Sequence, residues 1–508
     1  MTTTPSTPPA KVYLAGAGPG DPGLITLRAV ECLQRADLVL YDYLANPAAL
    51  EHASPSAELV CLGNHRTGRI LSPDEIVARM LDGARRGKTV VRLKGGDPSV
   101  FGRGADEIEP LREAGIPFEI VPGITAGLAA GAFCEIPITH HEDASAVALI
   151  AGQERSSKTV SGLDFGALAE FPGTLIFYMG VRKAAEWSQA LIEHGKPAET
   201  PVAIVRWCTR ARQQMIRCTL GTAAEVVAEH GLRPPALFVV GKVVDRAPQL
   251  SWFSARPLFG TSVLVAGSPG TSKTLRNQLA ALGADVITQP AIRITDPPDW
   301  APVDAALDSL DQYDWLVFSS ANGVDYLFRR LFDQGGDARR LGRVKLAAVG
   351  SATAERLSGY HLRADLVPEQ SNAESLAQAL LGESEGRRFL LAQASRGRNV
   401  LADELNGAGA HVDQIVVYGS VDVEDPDPDA AEALSSGKID WIAVTSPATA
   451  RSLVRLYGDA LGHARLASIS PLTSTALGDL GYEAAAEASP HTTAGLVDAI
   501  LHAGQEDG

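Results

Sequence analysis

Arg92-Leu93-Lys94-Gly95-Gly96-Asp97-Pro98-Ser99-Val100-Phe101-Gly102-Arg103-Gly104 places paired glycines, a carboxylate and an aromatic directly after an apolar run. Without a Cβ at Gly95 and Gly96, the backbone can approach a ligand and take φ values that other residues avoid. Asp97 and Phe101 add a charge and a flat apolar wall. Taken alone, this composition fits a plain strand-to-helix turn as well as a ligand loop. A second glycine-rich segment lies upstream. Lys11 to Leu14 reads as a short strand, Gly16-Ala17-Gly18-Pro19-Gly20-Asp21-Pro22-Gly23 follows, and Leu24, Leu27, Val30 and Leu33 then mark one face of a helix.

This opening is similar to that of a dinucleotide-binding unit but fits it badly, because Pro19 and Pro22 remove backbone donors that a pyrophosphate cradle would use. A ligand without phosphates is expected. Together with Tyr41-Asp42, Val121-Pro122-Gly123-Ile124-Thr125-Ala126 and Tyr178-Met179-Gly180, the two glycine segments resemble uroporphyrinogen-III C-methyltransferase of the tetrapyrrole methylase family, over Lys11 to Val244. The resemblance implies a two-subdomain methylase fold, S-adenosyl-L-methionine as cofactor, a tetrapyrrole acceptor and a homodimer formed through this half. It assigns the carboxylate of Asp42 as proton acceptor. Carried over as cofactor-binding positions are Pro19, Gly95, Gly96, Asp97, Val100, Phe101, Thr125, Ala126, Tyr178, Met179 and Cys208.

The chain departs from the family pattern in three places. A Val-Gly pair followed by a proton-donating lysine is usual, whereas this sequence has Leu62-Gly63-Asn64-His65-Arg66-Thr67-Gly68-Arg69. Asn64 cannot replace a titrating ammonium, and His65, whose ordinary pKa lies near neutrality, is the candidate to take over, with Arg66 as the alternative. The family's later histidine and glutamine are missing near Arg69 and Pro73. Cys208 stands where a glycine is common. Arg66, Arg69, Arg92, Lys94 and Arg103 cluster in one third of this half, and Arg206, Arg210 and Arg212 follow another apolar run. Singly these read as solvated charge. As a group they suit a polycarboxylate substrate, with Arg66, Arg69 and Arg103 as the substrate-binding candidates.

With 508 residues, 45% of them apolar and 21% charged, the chain exceeds the roughly 250–300 residues at which single cores stop growing, so at least two domains are expected. The formal charge of −15 argues against a nucleic-acid partner. Five cysteines without a C-x-x-C pair argue against a disulfide framework or zinc site and for a reducing cytoplasm. No signal pattern opens the chain, and no apolar run is of bilayer-spanning length, so no membrane association is expected. His140-His141 with Glu142 and Asp143 looks like a metal cluster, but neighbours in an extended run point apart, and no metal is expected.

The segment from Asp245 to Gly260 is aperiodic, with two prolines and several aromatics, and reads as a linker. Beyond it, apolar runs alternate with helical patterns, the signature of α/β architecture with parallel strands. Phe318-Ser319-Ser320-Ala321-Asn322-Gly323-Val324, Ala348-Val349-Gly350-Ser351-Ala352-Thr353-Ala354, Val417-Tyr418, Val444-Thr445-Ser446-Pro447 and Ile469-Ser470-Pro471-Leu472-Thr473 resemble uroporphyrinogen-III synthase. That resemblance implies a two-lobed α/β fold that cyclises hydroxymethylbilane without a cofactor. Tyr418 would assist departure of water, or would simply pack at a strand end. Ser319, Asn322, Ser351, Thr353, Ser446 and Thr473 lie at strand-to-helix turns, where they can bind substrate carboxylates or serve as helix caps.

The expected organisation is a tail at 1–10, a methylase domain at 11–246, a linker at 247–259 and a synthase domain at 260–508. The synthase lobes would be 260–294 with 423–508, and 295–422, the acidic stretch 422–429 marking the crossing. Three functions are in play: a bifunctional enzyme making uroporphyrinogen III and methylating it to precorrin-2, a tetrapyrrole-binding or regulatory protein with an inactive methylase half, and a methylase of a later corrinoid intermediate.

Overall fold

The computed structural model describes residues 11–64, 69–153, 162–248, 251–397 and 399–505, with backbone only at Asn64, Arg69, Ile70, Pro269 and Gln505. The chain divides into two compact units, the first made of residues up to Thr261 with Leu279–Asp285, the second of Ser262–Gln278 with the residues from Val286 on. Both are α/β.

In the first unit the strands Glu58–Cys61, Leu38–Tyr41, Val90–Lys94, Val12–Gly16 and Phe118–Val121 lie side by side in that order, all parallel. The three central strands are buried along nearly their whole length. This is why they read as unbroken apolar runs rather than alternating ones. Register brings Gly16 beside Lys94 and Tyr41 beside Leu93, so the loops that follow these strands all emerge at one end of the sheet. A second sheet, ordered Gln214–Thr219, Pro201–Arg206, Ala236–Val240, Thr174–Tyr178 and Val147–Ala151, is antiparallel except for its last pair. The helix Pro73–Arg85 starts with a reciprocal capping box between Ser72 and Glu75.

The segment read as a linker is not free. Phe253 is buried, its ring 4.6 Å from that of Phe133, while the Trp252 indole donates to Ala132 O (2.9 Å) and the Ser251 hydroxyl to Phe133 O (2.8 Å). Its aromatics strap the chain onto the C-terminal end of helix Ala126–Phe133. Phe253→Ala is expected to destabilise the first unit by about 3–5 kcal/mol. Calorimetric unfolding checks this, with a fall in the first unit's transition as the expected result.

The second unit holds two sheets. One is ordered Asp285–Pro290, Ser262–Gly267, Trp441–Val444, Arg465–Ser468 and Ala484–Glu487. The other is Ile292–Thr295, His411–Asp422, Arg388–Ala394, Trp315–Phe318 and Lys345–Ala348. Ile292–Thr295 runs antiparallel to the end of His411–Asp422, with Ile292 opposite Asp422. Residues 292–294 therefore belong with the second sheet, and the crossing falls at Pro290-Ala291 rather than after Ile294. Proline supplies no N–H with which the first strand could continue. The acidic stretch is also more structured than a solvated loop. Asp427 caps helix Pro428–Ser435, and Asp422 pairs with Arg396 and Arg455.

Candidate active site

The two sheets of the first unit enclose a cleft of about 1060 Å³. Its closed end is built from glycine backbone. Gly18 and Gly96 exchange two backbone hydrogen bonds (Gly96 N to Gly18 O, 2.8 Å; Gly18 N to Gly96 O, 3.3 Å), which join the loop after the first strand to the double-glycine loop. A Cβ on Gly16 would stand 2.6 Å from both Gly123 Cα and Gly96 O, so three loops converge only because side chains are missing. Gly96 has φ +71° and open space in front of it.

Asp97 lines the cleft but spends its carboxylate on backbone. One oxygen accepts from Ser99 N (2.6 Å), the other from Gly123 N (2.9 Å). It shapes the loop rather than presenting a free charge. The Tyr178 hydroxyl accepts from Gly127 N (2.7 Å) and shares a hydrogen bond with Thr125 Oγ1 (2.8 Å). The start of helix Ala126–Phe133 is thereby capped from the second sheet, since Thr125 makes no side-chain cap of its own. Burial pushes the Tyr178 phenol up. Phe101 packs against Tyr178 at 5.0 Å, forming an aromatic wall.

Four non-glycine residues with left-handed backbone, Phe101, Arg103, Met179 and Trp207, line this one cleft. Each such conformation costs about 1–3 kcal/mol, and such strain concentrates where geometry serves binding or catalysis. Met179 is half-exposed at the rim, whereas Cys208 is buried and burial raises its thiol well above the ordinary range. Pro19, Asp42, Gly95, Val100, Thr125 and Ala126 also line the cleft. His65 and Arg66 lie outside the described residues, as does the side chain of Arg69. Arg103 is on the rim with Asp106, 3.7 Å away.

The floor carries charges that the sequence left among solvated or substrate-facing groups. Arg92 and Lys94 are buried, and they pair inside the protein instead. Arg92 Nη2 bonds Asp42 Oδ1 and lies 3.3 Å from Glu107 Oε1; Lys94 Nζ donates to the same Glu107 oxygen at 2.5 Å. Two residues apart on one strand, Arg92 and Lys94 share a face. Glu107, on helix Gly104–Glu113, gave no local signal. Burial lowers the Lys94 ammonium, assisted by the neighbouring Arg92 charge. Asp42 is about one-third exposed and accepts a long bond from Gly95 N (3.4 Å), so it is held yet open to the cleft. Arg210 also reaches the cleft. It donates to Leu44 O (2.9 Å) and packs on Trp207, and burial lowers its guanidinium to about 10.

In the second unit a cavity of about 400 Å³ is lined by Ser319, Arg396 and Tyr418 among others. The Tyr418 hydroxyl lies 3.0 Å from Ser320 Oγ, which caps helix Ala321–Asp333 through Gly323 N. Asn322 is half-buried in that helix's first turn, and Ser351 is exposed at the start of helix Ser351–Ser358. Thr353 and Thr473 are buried, and Thr473 Oγ1 faces Ser470 Oγ at 3.1 Å. Ser446 accepts from Thr449 N (3.1 Å). Ser446 is half-buried and caps helix Pro447–Tyr457, whereas helices Ser351–Ser358 and Pro471–Asp479 have no side-chain cap.

His140, His141 and Glu142 bring possible ligand atoms within 4.8 Å of one another. Arg246 bonds both Glu142 and Asp143, which neutralises the carboxylates a cation would need.

Comparison with known proteins gives two family matches: Tetrapyrrole (Corrin/Porphyrin) Methylases over residues 11–224 and Uroporphyrinogen-III synthase HemD over residues 273–498. The porphyrin biosynthesis protein HemD of Ruminiclostridium josui is 33% identical over 97% of this chain and 98% of its own length. A uroporphyrinogen-III C-methyltransferase of Priestia megaterium is 45% identical over 46% of this chain and 98% of its own. Among solved structures, a uroporphyrin-III C-methyl transferase of Thermus thermophilus complexed with S-adenyl homocysteine is 37% identical, covers 47% of this chain and all of that one, and has a TM-score of 0.41. The class defined is thus a two-module α/β enzyme of tetrapyrrole biosynthesis. The chain belongs to the family of porphyrin-biosynthesis proteins that join a uroporphyrinogen-III C-methyltransferase to a uroporphyrinogen-III synthase.

Proposed function

We propose that this chain cyclises hydroxymethylbilane to uroporphyrinogen III in its synthase module (260–508) and methylates that product twice to precorrin-2 in its methylase module (11–246), with 247–259 joining them. The product would feed sirohaem or cobalamin synthesis. The observation that carries this reading is the glycine-bridged cleft with Asp42 open at its floor. S-adenosyl-L-methionine supplies an electrophilic methyl group when bound. The cleft suits it: Gly95 and Gly96 offer close-approach backbone, and Phe101, Tyr178 and Met179 offer an aromatic and thioether wall for a neutral base.

Asp42 then takes the proton from the bridge carbon beside the methylated pyrrole carbon, with Arg92 holding its carboxylate in place. Arg103, with Arg66 and Arg69, would receive the acceptor's carboxylates. Ser319, Asn322 and Ser351 are placed to bind bilane carboxylates in the synthase module, and Tyr418 to assist loss of water. No described helix is long and apolar enough to cross a membrane, and the cysteines are free, which supports a cytoplasmic enzyme. Resemblance to methylases supports a homodimer through the first module.

Supplying hydroxymethylbilane and methyl-labelled donor tests the reading. Label in a dimethylated product supports it. Donor binding without label would mean a regulatory protein, the outcome that Asn64 and Cys208 motivate, and label only on added precorrins would mean a later corrinoid methylase. Tyr418→Phe removes the bond to Ser320, worth about 1 kcal/mol, and is expected to slow cyclisation several-fold with methylation unchanged. Rates for each half-reaction on the same preparation check this.

A further inference from the structure

Four charges meet at the cleft floor, from three elements: Asp42 after strand Leu38–Tyr41, Arg92 and Lys94 on strand Val90–Lys94, and Glu107 on helix Gly104–Glu113. Two are positive and two negative. Three of the four are nearly sealed from solvent, with side chains 3% (Arg92), 4% (Lys94) and 8% (Glu107) exposed, while Asp42 at 32% is the one that reaches the cleft. Glu107 is the keystone. Its Oε1 accepts from Arg92 Nε (3.3 Å), Arg92 Nη2 (3.3 Å) and Lys94 Nζ (2.5 Å). Its Oε2 is buried with no hydrogen-bond partner.

A purely structural ion pair gains by satisfying both carboxylate oxygens, because each buried polar atom left alone carries its full desolvation cost. Glu107 does the opposite. It concentrates its bonds on the edge that faces Arg92 and Lys94, which fixes the Arg92 fork in the one orientation that also reaches Asp42. A guanidinium has donors only and no acceptor, so Arg92 transmits position and field rather than a proton.

We infer that Glu107 is a positioning residue for methyl transfer: through Arg92 it sets the orientation and basicity of Asp42, and its charge offsets the two cations that would otherwise make that carboxylate a weaker base. The inference rests on Asp42 being the proton acceptor. Besides these four, the charged groups lining the cleft are Asp74, Asp97, Arg103, Asp106 and Arg210, and Asp97 is already held by backbone N–H groups.

Glu107→Gln keeps shape and removes the charge. Arg92 and Lys94 are then balanced by Asp42 alone, and their field holds the Asp42 carboxylate more firmly in its charged form. In the full-length protein the acidic limb of the methylation pH–rate profile is expected to move to lower pH and kcat to drop about tenfold or more. Affinity for S-adenosylhomocysteine, measured by calorimetry, should stay unchanged. Glu107→Asp should recover part of the rate. An unmoved limb with kcat within about twofold of the parent overturns the inference. If Glu107→Gln does not fold, Lys94→Met/Glu107→Gln, which removes one charge of each sign, replaces it: lost kcat with retained S-adenosylhomocysteine binding supports the role, and a parental rate ends it. Asp42→Asn in parallel separates the two ideas. Near-normal transfer there removes the base and this inference with it, whereas an inactive Asp42→Asn beside an unaltered Glu107→Gln removes the Glu107 role alone.

Discussion

Asp42→Asn is expected to reduce methyl transfer by about a thousandfold, within the 10²–10⁴ that a positioned general base contributes, while cyclisation proceeds at the parental rate. Asparagine has nearly the volume of aspartate, and its one carbonyl oxygen can still accept from Arg92, giving up only the long contact with Gly95 N, so the cleft keeps its shape. What it loses is the capacity to take a proton. Initial rates of label incorporation from S-adenosyl-L-methionine, beside conversion of hydroxymethylbilane, check both halves in one sample. S-adenosylhomocysteine binding should be unaltered, and transfer within tenfold of the parent would remove Asp42 from the mechanism.

Gly96→Val is expected to weaken S-adenosylhomocysteine binding by about a hundredfold or more, ~3 kcal/mol. Two effects combine at this position. Its φ of +71° is unfavourable for a branched residue, and the nearest atom to an added Cβ is Thr125 Cα at 3.9 Å, so the isopropyl group would stand in the open space of the cleft rather than collide with the fold. Gly115→Val is the control. It has a similar φ of +67° with nothing within 4 Å of the added carbon, and it is not among the residues lining the cleft. Both variants should lower the midpoint of unfolding by a few degrees. Only Gly96→Val should lose the ligand in calorimetry, and equal affinity in the two would show that the double-glycine loop does not face the donor.

Much of this site was legible in the chain because it is made of backbone. Gly16, Gly18, Gly95, Gly96 and Gly123 declare close approach by lacking side chains, and their order along the sequence identifies the fold that needs it. Charge pairing across the fold was not legible. Arg92 and Lys94 are separated from Asp42 by about fifty residues of chain, and no local pattern says that a helix starting at Gly104 returns Glu107 beneath them. Without that helix, burial of two cations has no explanation, and solvated charge is the reasonable reading. Hydroxyls at helix starts had the reverse fate. Ser446, Thr353 and Thr473 sit at strand-to-helix turns as their spacing indicates, but Ser446 closes its own helix turn and Thr353 and Thr473 are buried. The aromatic run from Trp252 to Phe259 lacks a period because it forms turns, and periodicity is blind to what turns pack against.

The strap formed by that run decides where the two catalytic activities can be separated by cutting the gene. A methylase ended at Arg246 would leave one side of Phe133 bare to water and shed the aromatic ring that covers it, inviting association between molecules; one carried through Asp285 would retain Trp252, Phe253 and Phe259 together with the Leu282 carbonyl that Leu258 bonds.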